Sequence, residues 1–388
     1  MAYNGMNLSN VKLINRSGIL RLLNDHGSLS RKDIAEQLGL TPAAVTQICS
    51  ELLTQGIICE TGEAPEENRA GRKKILLQIN YAYSYVISVC IEEAETNLAL
   101  CTLKGENLKN LSLPTQTGIP PEAFLENISD EIKNLISQSG LKKNSFLGIG
   151  VSVPGTVNSE TGQSIHAYRI WDSCVDVRAI LTERTGLPVA LENNVVAFSE
   201  AELMFGSGKK ENRLLFVKWG PGVGAALSGS QNLPSAKISK SIEIGHIITD
   251  CGGALCRCGK RGCLETKVST HALANLVKEK WSKAKGRDIR AGNISAWISE
   301  DDAELDFILS EPIKELSKAV VNAAVLFEPD KIVVYGKLFG IPKVHKIFLE
   351  QCREMDGRID DGIIISSPLA QSLNHIGAAA IAVNKFLR

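Results

Sequence analysis

The segment Cys251–Thr266 reads CGGALCRCGKRGCLET, and it follows closely on Glu243–His246, EIGH. Three of the chain's ten cysteines, Cys256, Cys258 and Cys263, fall in this one glycine-punctuated loop behind His246. One imidazole and three thiols in the order His-x9-Cys-x-Cys-x4-Cys form the Cys3His donor set that tetrahedral structural zinc prefers. Gly259 and Gly262 allow the tight backbone path that such short spacings require. A redox motif needs two close cysteines at a helix start, and nothing here positions such a pair. Cys251 is a spare thiol outside the donor set. A structural Zn2+ on His246, Cys256, Cys258 and Cys263 is therefore expected. Such a clamp pins Glu243, three residues before His246, and Glu265, two after Cys263, near one another. Fixed carboxylates beside a ring nitrogen are acceptors suited to the vicinal hydroxyls of a sugar.

The chain has 388 residues, enough for two or three domains with sizeable cores. Its 43 basic and 43 acidic residues cancel, so contact with nucleic acid must come from a local basic segment. No apolar run reaches the roughly 18–20 residues that span a bilayer, and the N-terminus lacks the apolar core of a secretory signal. The expectation is a cytoplasmic protein with no membrane partner and with reduced thiols, so disulfides explain the cysteines poorly. Cys49, Cys59, Cys90, Cys101, Cys174 and Cys352 stand singly and read as small buried hydrophobes.

Ser28–Glu60, SLSRKDIAEQLGLTPAAVTQICSELLTQGIICE, carries two short helical patterns around a tight turn. Ser30 caps the first helix with Asp33 at its third position, and Gly39 ends it. Thr41 caps the second, with Pro42 at its first position. Val45, Ile48, Leu52 and Leu53 face inward, which leaves Ala43, Ala44, Thr46, Gln47 and Ser50 outward. Such a face suits a major groove, where Gln pairs with an adenine edge and Ala or Thr touches a thymine methyl. Two strands around the hairpin EAPEENRA form a wing, and its arm, Arg69 to Lys74, places four cations in six positions. Arg69, Arg72 and Lys73 are suited to phosphates or a narrow minor groove. With an upstream helix near Val11–Leu23, the first 79 residues resemble the winged helix–turn–helix of bacterial repressors. Thr41, Ala43, Ala44, Thr46 and Gln47 are the expected base-facing residues on double-stranded operator DNA.

Beyond Asn80 the pattern becomes α/β. YVISVCIE and TNLALCTLKGE read as paired strands, Pro120–Gly140 as a helix, and FLGIGVSVPGTV as a buried strand. The plan recurs in RLLFVKWGPGVGAALSG, a strand pair around a glycine loop, then in the helix Ser310–Pro329 and the strand KIVVYG. Ala291–Pro312 reads as a surface helical insertion, and Trp281 and Trp297 as packing residues. Two lobes with a cleft between them fit this spacing.

VPGTV (153–157), ENN (192–194), WGPGVGAAL (219–227), EIGH, CRCGKRGCLE and GAAAIAV (377–383) occur in the order seen in the ROK family of repressors, open reading frames and sugar kinases. The chain resembles that family over essentially its whole length. The resemblance implies a winged helix–turn–helix followed by a two-lobed, actin-like ATPase or ROK sugar kinase fold. It implies sugar contacts at Gly155, Asn193, Glu243, His246 and Glu265. The family's kinases carry an aspartate where this chain has Asn194, whose amide can hold a sugar hydroxyl but cannot take its proton, a loss of roughly 10²–10⁴-fold in rate. They place Asp-x-Gly-Gly-Thr after the first strand, where this chain has Cys90-Ile91-Glu92-Glu93-Ala94. Neither phosphoryl transfer nor ATP as a cofactor is expected.

The sequence-based expectation is a sugar-responsive repressor, a homodimer or dimer of dimers, released from its operator by a xylose-like sugar, a hexose or a small oligosaccharide. The alternatives are an ATP-dependent sugar kinase carrying a DNA-binding domain, and a DNA-binding structural protein indifferent to sugar. The expected domains are 1–79, a small lobe of 80–190 completed by 371–388, and a large lobe of 191–370.

Overall fold

The structure, a computed structural model, describes residues 8–63, 74–208, 211–229, 239–359 and 362–387. Helix α1 (Leu8–His26) buries Ile19, Leu20 and Leu23, and the two-residue strand β1 (Leu29–Ser30) follows it. Ser30 caps α2 (Arg31–Leu38) reciprocally: its Oγ accepts from the Asp33 N–H at 3.3 Å, and its own N–H donates to Asp33 Oδ2 at 3.2 Å. Gly39 closes α2 in the left-handed region, and Thr41 caps α3 (Pro42–Thr54) by accepting from the Ala44 N–H at 3.3 Å. On α3, Val45, Ile48, Cys49 and Leu52 are buried. Truncating Leu52 to Ala would cost about 2–5 kcal/mol. Strands β2 (Ile58–Glu63) and β3 (Ile75–Ile79) pair antiparallel, and the sheet order β1-β3-β2 makes a winged helix–turn–helix. The tip of the wing, with Arg69, Arg72 and Lys73, lies outside the described residues.

The first lobe is built on β4 (Tyr85–Ile91), β5 (Glu95–Thr102), β6 (Asn107–Pro114), helix α4 (Pro121–Ser139) and β7 (Phe146–Val153). A hairpin of β8 (Thr156–Asn158) and β9 (Gln163–His166), helix α5 (Val177–Thr185) and β10 (Val189–Asn193) complete it. The order is β10-β7-β4-β5-β6, with β10, β7 and β4 parallel and β4, β5 and β6 antiparallel. Helix α6 (Asn194–Phe205) leads to the second sheet, which starts with β11 (Leu214–Trp219), β12 (Val223–Ser228) and β13 (Ser239–Ile242). After the Cys/His loop come α7 (Glu265–Val268), α8 (Thr270–Lys280), α9 (Ile294–Ile298), α10 (Ala303–Phe327), β14 (Lys331–Tyr335), α11 (Pro342–Met355), β15 (Ile364–Ser366) and α12 (Leu373–Phe386). This sheet runs β13-β12-β11-β14-β15. Helix α12 returns to pack on β4, β7 and β10, while α6 packs on both α12 and the second sheet.

Two expectations change, and one strand is added. Ala291–Pro312 is not a surface insertion: Ile294, Ile298, Leu305 and Leu309 are buried, and α10 runs unbroken through Pro312. Proline inside a helix costs about 3 kcal/mol, whereas each fully buried Leu or Ile returns about 1.5–3 kcal/mol. Leu305, Ile308, Leu309, Ile313 and Leu316 keep one helical phase across the proline, so packing wins. Cys174 is exposed, in a polar turn, and Cys59 is half-buried; Cys49, Cys90, Cys101 and Cys352 are buried. The strand β6, whose residues NLKNLSLP face largely outward, escaped the sequence reading because an edge strand has no second buried face.

One contiguous apolar cluster joins Leu20, Ile34, Leu52 and Leu77 of the winged unit to Val86, Phe198, Met204 and Ala378, with Tyr81 and Phe205 packed at its margin. The winged unit is therefore seated directly on the first lobe and on the end of α6.

Candidate functional site

The strand ends and turns of both lobes meet at a cleft of about 830 Å³, open mouth included. Gly155, Asn193, Asn194, Glu243, His246 and Glu265, all singled out in the sequence, line this one cleft. Asn193 is the N-cap of α6: its Oδ1 accepts from the Val195 N–H at 2.8 Å, and its Nδ2 donates to the Gly155 carbonyl at 2.6 Å. Both ends of that amide are thus anchored, and its orientation is fixed before any ligand arrives. Glu192, just before it, is half-buried, accepts from Ser159 Oγ and the Asn193 N–H, and has its carboxyl pushed up by its partial burial. Glu265 accepts from the Val223 N–H at 3.0 Å, which ties the start of α7 to the glycine loop after β11.

His246 divides its two nitrogens. Nδ1 lies 3.5 Å from Cys256 Sγ, and Nε2 lies 3.8 Å from Glu243 Oε2. The donor atoms of His246, Cys256, Cys258 and Cys263 all lie within 4.8 Å of one another. The loop is wound so tightly that a Cβ on Gly262 would fall 1.5 Å from the Asp250 carbonyl oxygen, and that glycine has φ +69°. Burial and then the neighbouring sulfurs push the Cys263 thiol up to about 12. Three sulfurs and one ring nitrogen gathered this closely are the donors that a thiophilic divalent metal takes, so the set fits such a metal.

Several residues of the cleft carry little sequence signal. Tyr168 packs edge-on to His246 with centroids 5.9 Å apart, and burial pushes its phenol up. Arg169 holds a left-handed backbone at φ +66°, uncommon for a side chain of that size, and sits 3.6 Å from Glu93. Lys218 interrupts the apolar strand LLFVKW; a cation within a buried strand is the one mark that could have pointed to it. Its Nζ donates to both oxygens of Glu92 at 2.6 Å, and Asn194 Nδ2 donates to the same carboxylate at 2.6 Å. His271 Nε2 lies 3.1 Å from both oxygens of Glu93. Removing one member of a largely buried ion pair strands the other, a cost of about 3–5 kcal/mol.

On the winged unit, Thr41, Ala43, Thr46 and Gln47 are exposed along α3, and Ala44 is half-buried. Thr46 Oγ1 donates to the Pro42 carbonyl at 2.7 Å, so its hydroxyl proton is committed while its methyl stays with the exposed face.

A winged helix–turn–helix joined to a two-lobed cleft domain defines a class of ligand-gated DNA-binding architecture. The ROK family model matches residues 86–385, and a winged helix-turn-helix DNA-binding model matches residues 13–58. The chain belongs to the ROK family. It is 25% identical over 358 residues to the xylose repressor of Caldicellulosiruptor bescii, covering 89% of this chain and 88% of that one. It is 27% identical over 353 residues to the DNA-binding transcriptional dual regulator NagC of Escherichia coli, covering 89% and 86%. A solved ROK family transcriptional regulator, a homologue of the E. coli MLC protein, superposes with a TM-score of 0.78 at 25% identity, covering 96% of each chain.

Proposed function

We propose that this chain is a sugar-responsive transcriptional repressor, which holds operator DNA through α3 and the wing and releases it when a carbohydrate enters the cleft. The observation that carries this reading is the course of α6. Asn193 and Asn194 at its start line the cleft, and near its end the Met204 carbonyl accepts from Asn24 Nδ2 of α1 at 3.5 Å. Twelve residues at 1.5 Å each make a strut of roughly 18 Å between ligand and DNA-reading unit. A sugar that shifts Asn193 or Asn194 shifts the seat of α1. In a homodimer this would change the spacing of two α3 helices against two operator half-sites. The names of the repressor relatives favour the same reading, with xylose or a hexose as the candidate effector.

The sugar contacts proposed are Gly155, Asn193, Asn194, Glu243, His246 and Glu265. Zn2+ would be held by His246, Cys256, Cys258 and Cys263. Its charge would keep the three sulfurs as thiolates and brace the segments that bear Glu243 and Glu265. The cleft is proposed to be non-catalytic: Asn194 offers no base, and its Nδ2 already donates one hydrogen bond to Glu92. The division into 1–79, 80–190 with 371–388, and 191–370 is kept as the working domain scheme, with a cytoplasmic location. Among the described residues no helix is long and apolar enough to cross a membrane.

The test is a DNA-binding titration on an operator recovered by selection from genomic fragments, run with a panel of sugars and with a coupled ADP-release assay alongside. One sugar should weaken DNA binding tenfold or more with no ADP formed. ADP release would replace this reading with the kinase one, and a DNA affinity indifferent to every sugar would remove it.

A further inference from the structure

The cleft holds more charge than recognition of hydroxyls requires. Glu92, Glu93, Glu243 and Glu265 share its wall with Arg169, Lys218 and Arg257. Two of those cations already face carboxylates, Lys218 on Glu92 and Arg169 on Glu93. The Glu92 pair is the tighter and spans the cleft: Glu92 follows β4 in the first lobe, and Lys218 belongs to β11 in the second. Its side chains are only 18% and 12% exposed, so water screens their charges weakly.

A phosphate ester brings a charge of about −1.5 to −2 near neutral pH. Close to Asn194 that charge would meet a cation already neutralised and a carboxylate that cannot leave without stranding Lys218. A hydroxyl meets no such obstacle. It can donate to Glu92, or use whatever hydrogen-bonding capacity the Asn194 amide retains.

We propose that Glu92 is a selectivity residue that restricts the cleft to an uncharged carbohydrate and turns away the phosphate ester of the same sugar. This rests on the sugar-receptor reading and names the chemical class of its effector. Glutamine at position 92 would keep the shape and a hydrogen-bonding group while releasing the Lys218 ammonium, so a cation beside Asn194 would be freed for an anion.

Calorimetry on the full chain tests this with glucose and N-acetylglucosamine against their 6-phosphates, and xylose against its 1-phosphate. The proteins are wild type, Glu92→Gln and Lys218→Met. For the sugar that binds, wild type should prefer the free form tenfold or more. Glu92→Gln should narrow that ratio at least tenfold, an effect that shrinks with added salt, whereas Lys218→Met should preserve or widen it. An ester that binds wild type as tightly as its free sugar overturns the role of Glu92 while leaving the receptor reading intact. A ratio unchanged in Glu92→Gln does the same. If neither free sugars nor esters bind at all, the receptor reading fails and the selectivity role falls with it.

Discussion

The ring of Phe205 lies against Gly105, so closely that a Cβ on the glycine would fall 2.6 Å from the ring's Cδ2. Phe205 ends α6, and Gly105 turns β5 into β6 at φ +76°. Gly105→Ala therefore combines left-handed strain of about 1–2 kcal/mol with displacement of the ring. Urea unfolding should report a loss of about 2 kcal/mol or more, and the sugar-induced change in DNA affinity should shrink. Gly118→Ala is the control: its φ is +93° but nothing lies within 4 Å, so it should show the strain without the loss of response.

Metal analysis should find one zinc per chain. Cys263→Ser should abolish it, because the Cys263 sulfur is buried among the other donors, whereas Cys251→Ser should leave it in place. Stripping the metal with a chelator should lower the melting temperature and weaken sugar binding tenfold or more, since Glu243 and Glu265 lose their common brace. Full zinc content in Cys263→Ser would exclude that cysteine as a ligand.

Gln47 stands exposed on α3, with its amide 3.5 Å from Glu51 Oε1. Gln47→Ala should cost about 1–3 kcal/mol on the preferred operator and much less on an operator altered at the base pair it reads. Thr41→Ala should behave differently. It removes the cap of α3 and costs about 1 kcal/mol of folding stability whatever the DNA sequence. Competition binding on a set of single-base operator variants separates the two.

Burial raises the carboxyl of Glu202 above its ordinary 4.5, against hydrogen bonds from Ser367 and Ser207. The folded chain thus keeps this proton to higher pH than the unfolded chain. The stability it contributes is complete below the ordinary value and is lost as pH rises through the raised one. Glu202→Gln should flatten the pH dependence of urea unfolding above pH 4.5. An unchanged slope would mean that another group sets it.

Much of this site was legible because its determinants are local. Helix caps at Ser30 and Thr41, the Cys/His spacing and the strand-ending Asn193 each declare themselves within a few residues. The opposed pairs were not legible. Glu92 and Lys218 are 126 positions apart and meet only because two lobes close on each other. From sequence the two glutamates after β4 read only as a departure from the Asp-x-Gly-Gly-Thr of the family's kinases. In the structure they have partners of their own, Lys218, Asn194, Arg169 and His271. Pro312 misled in the opposite direction, since the punctuation it gives a sequence is outweighed by an apolar stripe that ignores it.

Residues Asn194 to Glu202 are buried without interruption, so α6 shows almost no side to solvent. Such a segment tolerates few replacements, because any change in volume is met by neighbours on every side. Descendants of this protein that acquire new inducers should therefore keep α6 nearly intact and diversify at the rim, around Tyr168, Arg169 and Arg257, where a different sugar can be accommodated without disturbing the part that carries the message.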